Sequence, residues 1–349
     1  MAGSASIVLT TFLSLIMKTH LFPGTQLSVS QLCFGCWGVI SDSHWGDRNQ
    51  DDSILAMKAA LDAGVNFFDT APMYGNGGSE NLLGQFLTDN NLRDQVVVAT
   101  KIRPSHMRAA EVITECEDSL RRLQTDVIDL YQTHWTSPDV SITEAWDALQ
   151  TLQQQGKVRH IGVCNAGVAD MTAIQQTAQP LSNQLPYNLV WRMIEDQILP
   201  KCVQDQIGVL VYSPLMHGVL ADNYTSAAEV PDGRARSRHF SSARSQTRHG
   251  EDGCEELLFD TLGRIRTICN ELGRSMAQVS LAWIAQQQGI VSVIAGARNA
   301  QQLQQNVSFL EQPLDAATIE ALNAATDDLK AALGANPDMW DGGANSRYH

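Results

Sequence analysis

The sequence is short of positive charge. Its 349 residues carry 24 lysines and arginines against 38 aspartates and glutamates, a net charge of −14. Phosphate backbones are bound by a dominant basic face, so this balance excludes a nucleic-acid footprint. Cysteine is sparse and odd in number, seven in all, which makes no disulfide framework. Cys33 and Cys36 form a lone C-x-x-C, "CFGC", with no second pair at zinc spacing, so both read as core cysteines. No strand-like run opens onto a G-x-G-x-x-G turn, which disfavours a doubly wound dinucleotide-binding sheet. No cluster of His, Asp and Glu stands at the strand ends, which speaks against a metal-dependent barrel isomerase. The apolar run "ASIVLTTFLSLIM" near the start is too short for a comfortable membrane span. It also lacks a preceding basic residue and a following small-x-small cleavage site. Met17, before "KTHLFPGTQL", reads as the more natural start. Residues 1–16 are therefore expected to be an extension outside the fold, residues 17–349 a single domain, and the protein cytoplasmic.

What is present is alternation. Apolar content of 44% supplies a large core. Strand-like runs fall at 32–39, 65–70, 95–100, 126–132, 160–164, 181–185, 207–213 and 290–295, mostly separated by amphipathic, helix-length segments. "DDSILAMKAALDAG" ends at the stop signal Gly64. "SITEAWDALQTLQQQGKV" carries Ser141 and Glu144 in capping-box spacing and stops at Gly156. Eight strands alternating with helices predict a closed (β/α)8 TIM barrel. "FPGTQLSVSQL" before them predicts a small N-terminal β-hairpin around Pro23-Gly24. Two stretches break the pattern: a long loop after strand seven, 214–260, and the tail "GANPDMWDGGANSRYH".

In such a barrel the chemistry gathers where strands end. Asp69 ends strand two and Tyr74 follows in its loop. Lys101 ends strand three in "VVVATK", and His134 ends strand four in "DLYQTH". Taken singly, a turn cap, a snorkelling lysine and a satisfied core histidine are ordinary readings. Together they form an acid-and-orientation site. A lysine in a low-dielectric mouth needs a counter-ion, which Asp69 provides, and its charge is expected to lower the pKa of a nearby tyrosine. His134 would orient a carbonyl oxygen beside Tyr74. The missing partner is a hydride donor.

"FFDTAPMYG", "VVVATK", "DLYQTHW" and "IAGARNAQQLQQN" resemble the signature segments of the aldo-keto reductase superfamily, over roughly residues 21–325. The resemblance implies NADPH-dependent reduction of a small aldehyde or ketone, with NADH possible and no Rossmann motif. It gives Tyr74 the role of proton donor, tuned by Lys101 and Asp69, with His134 positioning the carbonyl. At the nicotinamide it implies Trp37, Asp69, Cys164, Asn165, Gln184 and Tyr212. Cys164 stands where serine is common, and a thiol is the weaker donor. Ser213, Pro214, Leu215 and Gly218 would line the pyrophosphate. Gly296, Ala297, Arg298, Gln302, Gln305 and Asn306 would hold the adenosine end, where Gln302 departs from arginine and Gln305 from glutamate. The loop "PDGRARSRHFSSARSQTRHGED" reads evenly as a flap over the cofactor phosphates or a solvated insertion. A C-terminal loop over the active site is expected, with Trp340 as a pocket wall or a packing anchor for the tail. A cofactor-binding sensor or regulatory subunit of the same fold is the rival reading, because fold does not fix function.

Overall fold

The structure, a computed structural model, describes residues 17–41 and 46–349. The expected extension at residues 1–16 lies outside the described residues. The N-terminal hairpin forms as its turn dipeptide predicts. Strand β1 (Thr19–Leu21) pairs antiparallel with β2 (Ser28–Ser30), and the chain reverses through Gly24, whose φ is 71°. Phe22, completely buried at the start of that turn, points up into the barrel.

Eight parallel strands close the barrel in chain order: β3 (Leu32–Gly35), β4 (Phe67–Asp69), β5 (Val97–Ile102), β6 (Ile128–Thr133), β7 (Val158–Cys164), β8 (Ser182–Pro186), β9 (Gly208–Tyr212) and β10 (Ile290–Ala295). All eight lie at the expected places. The first is shorter than its 32–39 run, because Cys36–Val39 coils into a 3-10 turn. The Cys36 carbonyl there accepts from Ser79 Oγ at 2.7 Å instead of continuing a ladder.

Helices α1 (Gln50–Asp62), α2 (Gly78–Asp89), α3 (Ala109–Leu123), α4 (Ile142–Gln154), α5 (Val168–Ile174) and α6 (Ile198–Gln204) fill successive crossovers. Both α7 (Glu255–Glu271) and α8 (Met276–Ala285) precede β10, while α9 (Ala300–Val307) and α10 (Ala316–Leu333) follow it. Ser141 caps α4 by accepting from the Thr143 N–H, but the expected reciprocal arm is absent. Glu144 Oε1 instead accepts the Ala109 N–H of α3 at 3.1 Å, so the glutamate serves the neighbouring helix.

Side-chain alternation along the strands builds the site. Residues of one parity face the barrel axis. Phe67, Ala99, Leu130 and Leu210 form an apolar layer with Phe22 beneath it. Two residues further along, the same faces present Asp69, Lys101, Gln132 and Tyr212. The polar layer is thus set one step above an apolar floor, at the C-terminal mouth. The floor leaves no spare room. A methyl added at Gly208 would lie 2.7 Å from Phe22 Cδ1 and 2.9 Å from Val291 Cγ2. Gly208→Ala is expected to destabilise the fold by about 1–3 kcal/mol, read as a lower urea midpoint at unchanged slope.

Candidate active site

Strand β4 ends at Asp69; Pro72, three residues on, has no backbone N–H with which to resume a ladder, and the chain winds tightly around Tyr74. Gly75, Asn76 and Gly77 follow with φ of 56°, 51° and 90°. A side chain at Gly75 would run into Ile40, and one at Gly77 into Arg122, so this left-handed run suits its glycines. Ser79 ties the turn together, bonding Thr70 Oγ1 at 2.8 Å and the Cys36 carbonyl at 2.7 Å. That second bond brings the Trp37 turn alongside, and its indole stacks on Tyr74 at 5.7 Å between ring centroids. Arg103, just beyond β5, donates to the Pro72 carbonyl at 3.0 Å and braces the same loop.

Lys101 is 0% exposed and Asp69 2%. The ammonium has three N–H donors, and each has a partner: Asp69 Oδ1 at 2.6 Å, the Thr70 carbonyl at 2.8 Å and Tyr74 Oη at 3.3 Å. Asp69 Oδ2 accepts from Gln184 at 2.9 Å. Because the lysine donates to the phenolic oxygen, the phenol keeps its own O–H for a group above it. The His134 ring meets Tyr74 edge-on at 5.9 Å, and its Nδ1 is buried without a hydrogen-bond partner. The four expected catalytic side chains therefore converge.

Their electrostatics differ from the expectation in one respect. Lys101 does lower the pKa of Tyr74, but burial raises it more and Asp69 adds to the rise, so the phenol is pushed up to about 12. Burial alone would lower the Lys101 pKa; Asp69 and Tyr74 reverse that and hold the ammonium above its ordinary value. Burial, then the Lys101 charge, holds His134 well below the usual imidazole range. Near neutrality the site thus has a charged lysine, a protonated phenol and a neutral imidazole.

The residues expected at a cofactor line one side of the mouth. Cys164 ends β7 fully buried, its thiol pushed up by burial. Asn165 follows in the left-handed region, φ 56°, and donates from Nδ2 to the His134 carbonyl at 3.0 Å. Tyr212 ends β9 and donates to Asn165 Oδ1 at 2.9 Å. Ser213, Pro214, Leu215 and Gly218 lie in the tight turn after it, with Ser213 at φ 52° and Gly218 at φ 95°. At β10, Gln302 Oε1 accepts the Arg298 N–H at 2.9 Å and Asn306 donates to the Gly296 carbonyl at 3.2 Å, which shapes the Gly296-Ala297-Arg298 turn. Gln305 sits on α9 beside them. The Arg298 side chain is exposed and makes no ion pair among the described residues. A free guanidinium beside an open glycine suits a phosphate.

The arginine-rich loop is partly its own scaffold. Arg238 bonds Glu251 and the carbonyls of Leu333 and Asn336, and Arg244 bonds Glu255 and the carbonyls of Ala227 and Val230. Trp340 packs on His217 at 5.2 Å and under Arg236 at 5.2 Å, so it anchors the tail to this loop. The sequence reading did not single out Arg103 or the tail residues Arg347 and Tyr348. Arg103 is two positions past Lys101, and that proximity was the available signal. The tail has no periodicity to flag it. Among the described residues no group of three or more potential ligands could hold a metal, and no helix is long and apolar enough to cross a membrane.

The sequence model described as the aldo/keto reductase family matches residues 31–327. The chain is 33% identical to the aldo-keto reductase YhdN of Bacillus subtilis (strain 168), over 80% of this chain and 85% of the relative. It is 34% identical to the methylglyoxal reductase YeaE of Escherichia coli (strain K12), over 83% of this chain and 89% of the relative. Its fold resembles that of an aldo-keto reductase from Klebsiella pneumoniae solved in complex with NADPH. There the TM-score is 0.68 at 30% identity, over 88% of this chain and 95% of the other.

Proposed function

The chain belongs to the aldo/keto reductase family, and on that premise we propose that it reduces an aldehyde or ketone to an alcohol with NADPH, Tyr74 donating the proton. One observation carries the reading. Lys101, completely buried beside Asp69, donates both to that carboxylate and to the phenolic oxygen of the half-buried Tyr74, which leaves the remaining O–H for a group above it. When bound, NADPH supplies the hydride that adds to the carbonyl carbon. The chain supplies the rest. The Tyr74 O–H bonds the carbonyl oxygen and protonates it as charge develops there. Lys101 stabilises the phenolate left behind, and Asp69 holds Lys101 charged. Neutral His134 orients the same oxygen without competing as an acid.

Trp37, Cys164, Asn165, Gln184 and Tyr212 would hold the nicotinamide, beside Asp69. Ser213, Pro214, Leu215 and Gly218 would face the pyrophosphate. Gly296, Ala297, Arg298, Gln302, Gln305 and Asn306 would hold the adenosine end. The exposed Arg298 favours the 2′-phosphate of NADPH, while the neutral Gln302 and Gln305 leave NADH usable. The test is steady-state NADPH consumption against a panel of small aldehydes and ketones, with the product identified by mass spectrometry. Carbonyl-dependent formation of the alcohol is expected. A chain that binds NADPH, reduces nothing and co-purifies with a stoichiometric partner would instead be a sensor or regulatory subunit.

A further inference from the structure

The tail reaches the same amide that the proposed function gives to the nicotinamide. An asparagine oxygen accepts through two lone pairs, and on Asn165 both are taken. Tyr212 Oη donates to Oδ1 at 2.9 Å and Tyr348 Oη at 2.7 Å, while one of the two Nδ2 N–H groups donates to the His134 carbonyl. A carboxamide N–H arriving at Asn165 Oδ1 must therefore displace one phenol.

The two phenols are not equally free to leave. Tyr212 ends barrel strand β9, in register with Pro186 of β8. Tyr348 is carried on a strap that crosses the mouth, held at its flanks rather than by a ladder. On one side Arg347 bonds buried Asp338 through Nε and Nη2, both at 2.8 Å, and its carbonyl accepts from Thr136 Oγ1 at 2.7 Å. On the other side the His349 carbonyl accepts the Ala169 N–H at 2.8 Å, and the His349 N–H donates to Asp170 Oδ2 at 3.1 Å. Trp135 lies beneath, edge-on to Tyr348 at 5.9 Å and with the Arg347 guanidinium 3.5 Å above its ring centroid. The flanks fix the strap, and the Tyr348 hydroxyl is the one group it extends onto the Asn165 oxygen.

We propose that Tyr348 is a latch: its hydroxyl competes with the nicotinamide carboxamide for Asn165, so the segment Arg347–His349 sets cofactor affinity. The inference rests on the NADPH-dependent reading above. It has a direct consequence for binding. The new bond from the carboxamide to Asn165 is partly offset by the Tyr348 bond that is given up, whereas the adenosine end is untouched by the exchange.

The test titrates the unaltered chain and Tyr348→Phe with NADPH and with 2′-phospho-ADP-ribose, which lacks the nicotinamide. The phenylalanine keeps the ring against Trp135 and removes only the O–H. Tyr348→Phe is expected to bind NADPH about three- to tenfold more tightly with unchanged affinity for 2′-phospho-ADP-ribose. Removing Tyr348 and His349 together is expected to act in the same direction. If NADPH affinity is unchanged or weaker in Tyr348→Phe, or if both probes bind more tightly by the same factor, the latch is overturned while the cofactor reading stands. A chain that binds neither probe overturns the cofactor reading and the latch with it.

Discussion

Tyr74→Phe is expected to bind NADPH with near-normal affinity and to reduce carbonyls about 10²–10⁴-fold more slowly. The phenyl ring keeps its stacking on Trp37, so the walls of the site persist. What disappears is the O–H aimed at the substrate and the acceptor that Lys101 addresses at 3.3 Å. A fully buried ammonium is then left with one donor unpaired, which lowers stability by about 1–3 kcal/mol. Thermal unfolding checks that smaller effect separately from the rate. The pH dependence identifies the acid. With the phenol pushed up to about 12 in the cofactor-free site, the active, protonated form persists through neutral and mildly alkaline solution. Reduction should therefore hold level there and fall only as pH climbs toward that value, and the fall should be absent in the residual activity of Tyr74→Phe.

Lys101→Met removes the cation from a buried pair and leaves Asp69 facing a glutamine. Breaking a buried pair from one side is expected to cost about 3–5 kcal/mol, far more than either residue's exposed counterpart would. Pairing the change with Asp69→Asn removes the stranded charge, so the double variant should recover a large part of that loss in equilibrium unfolding. The fold holds Lys101 above its ordinary pKa, with Asp69 and Tyr74 overcoming the effect of burial. The contribution of the pair is accordingly complete below about 10.4, the unfolded lysine value, and is lost only as pH rises through the still higher folded value. The destabilisation by Lys101→Met should thus be level from neutrality to mild alkali. On the proposed roles, activity is expected to fall in both variants, because the Tyr74 phenolate would have no counter-charge.

The barrel could be read from the sequence because its signals are local. Each strand is a short apolar run, each helix has its own periodicity, and Pro23-Gly24 marks its own turn. Asp69, Lys101 and His134 stood out for the same reason, each being a polar residue where an apolar strand ends, and Tyr74 stood out because it follows in the loop after one of them. Tertiary effects were less accessible. Glu144 has capping-box spacing to Ser141, but a neighbouring helix end offers it the Ala109 N–H. The run at 32–39 looks like one strand, yet Ser79, far along the chain, takes the Cys36 carbonyl and turns it. The net shift of Tyr74 depends on how completely the fold buries it, which spacing does not encode. Tyr348 lies 183 positions from the Asn165 amide it bonds. No pattern in an aperiodic tail announces such a contact.

The most direct test of the central claim is a single-turnover experiment. NADPH is bound to the unaltered chain in slight molar deficit and mixed rapidly with a reactive aromatic aldehyde, and bound NADPH and alcohol are followed together. Loss of the reduced cofactor with one alcohol formed for each NADPH consumed, slowed by the factor given above in Tyr74→Phe, is the predicted result. NADPH that stays bound and reduced in both proteins, across a varied panel of aldehydes and ketones, would contradict it.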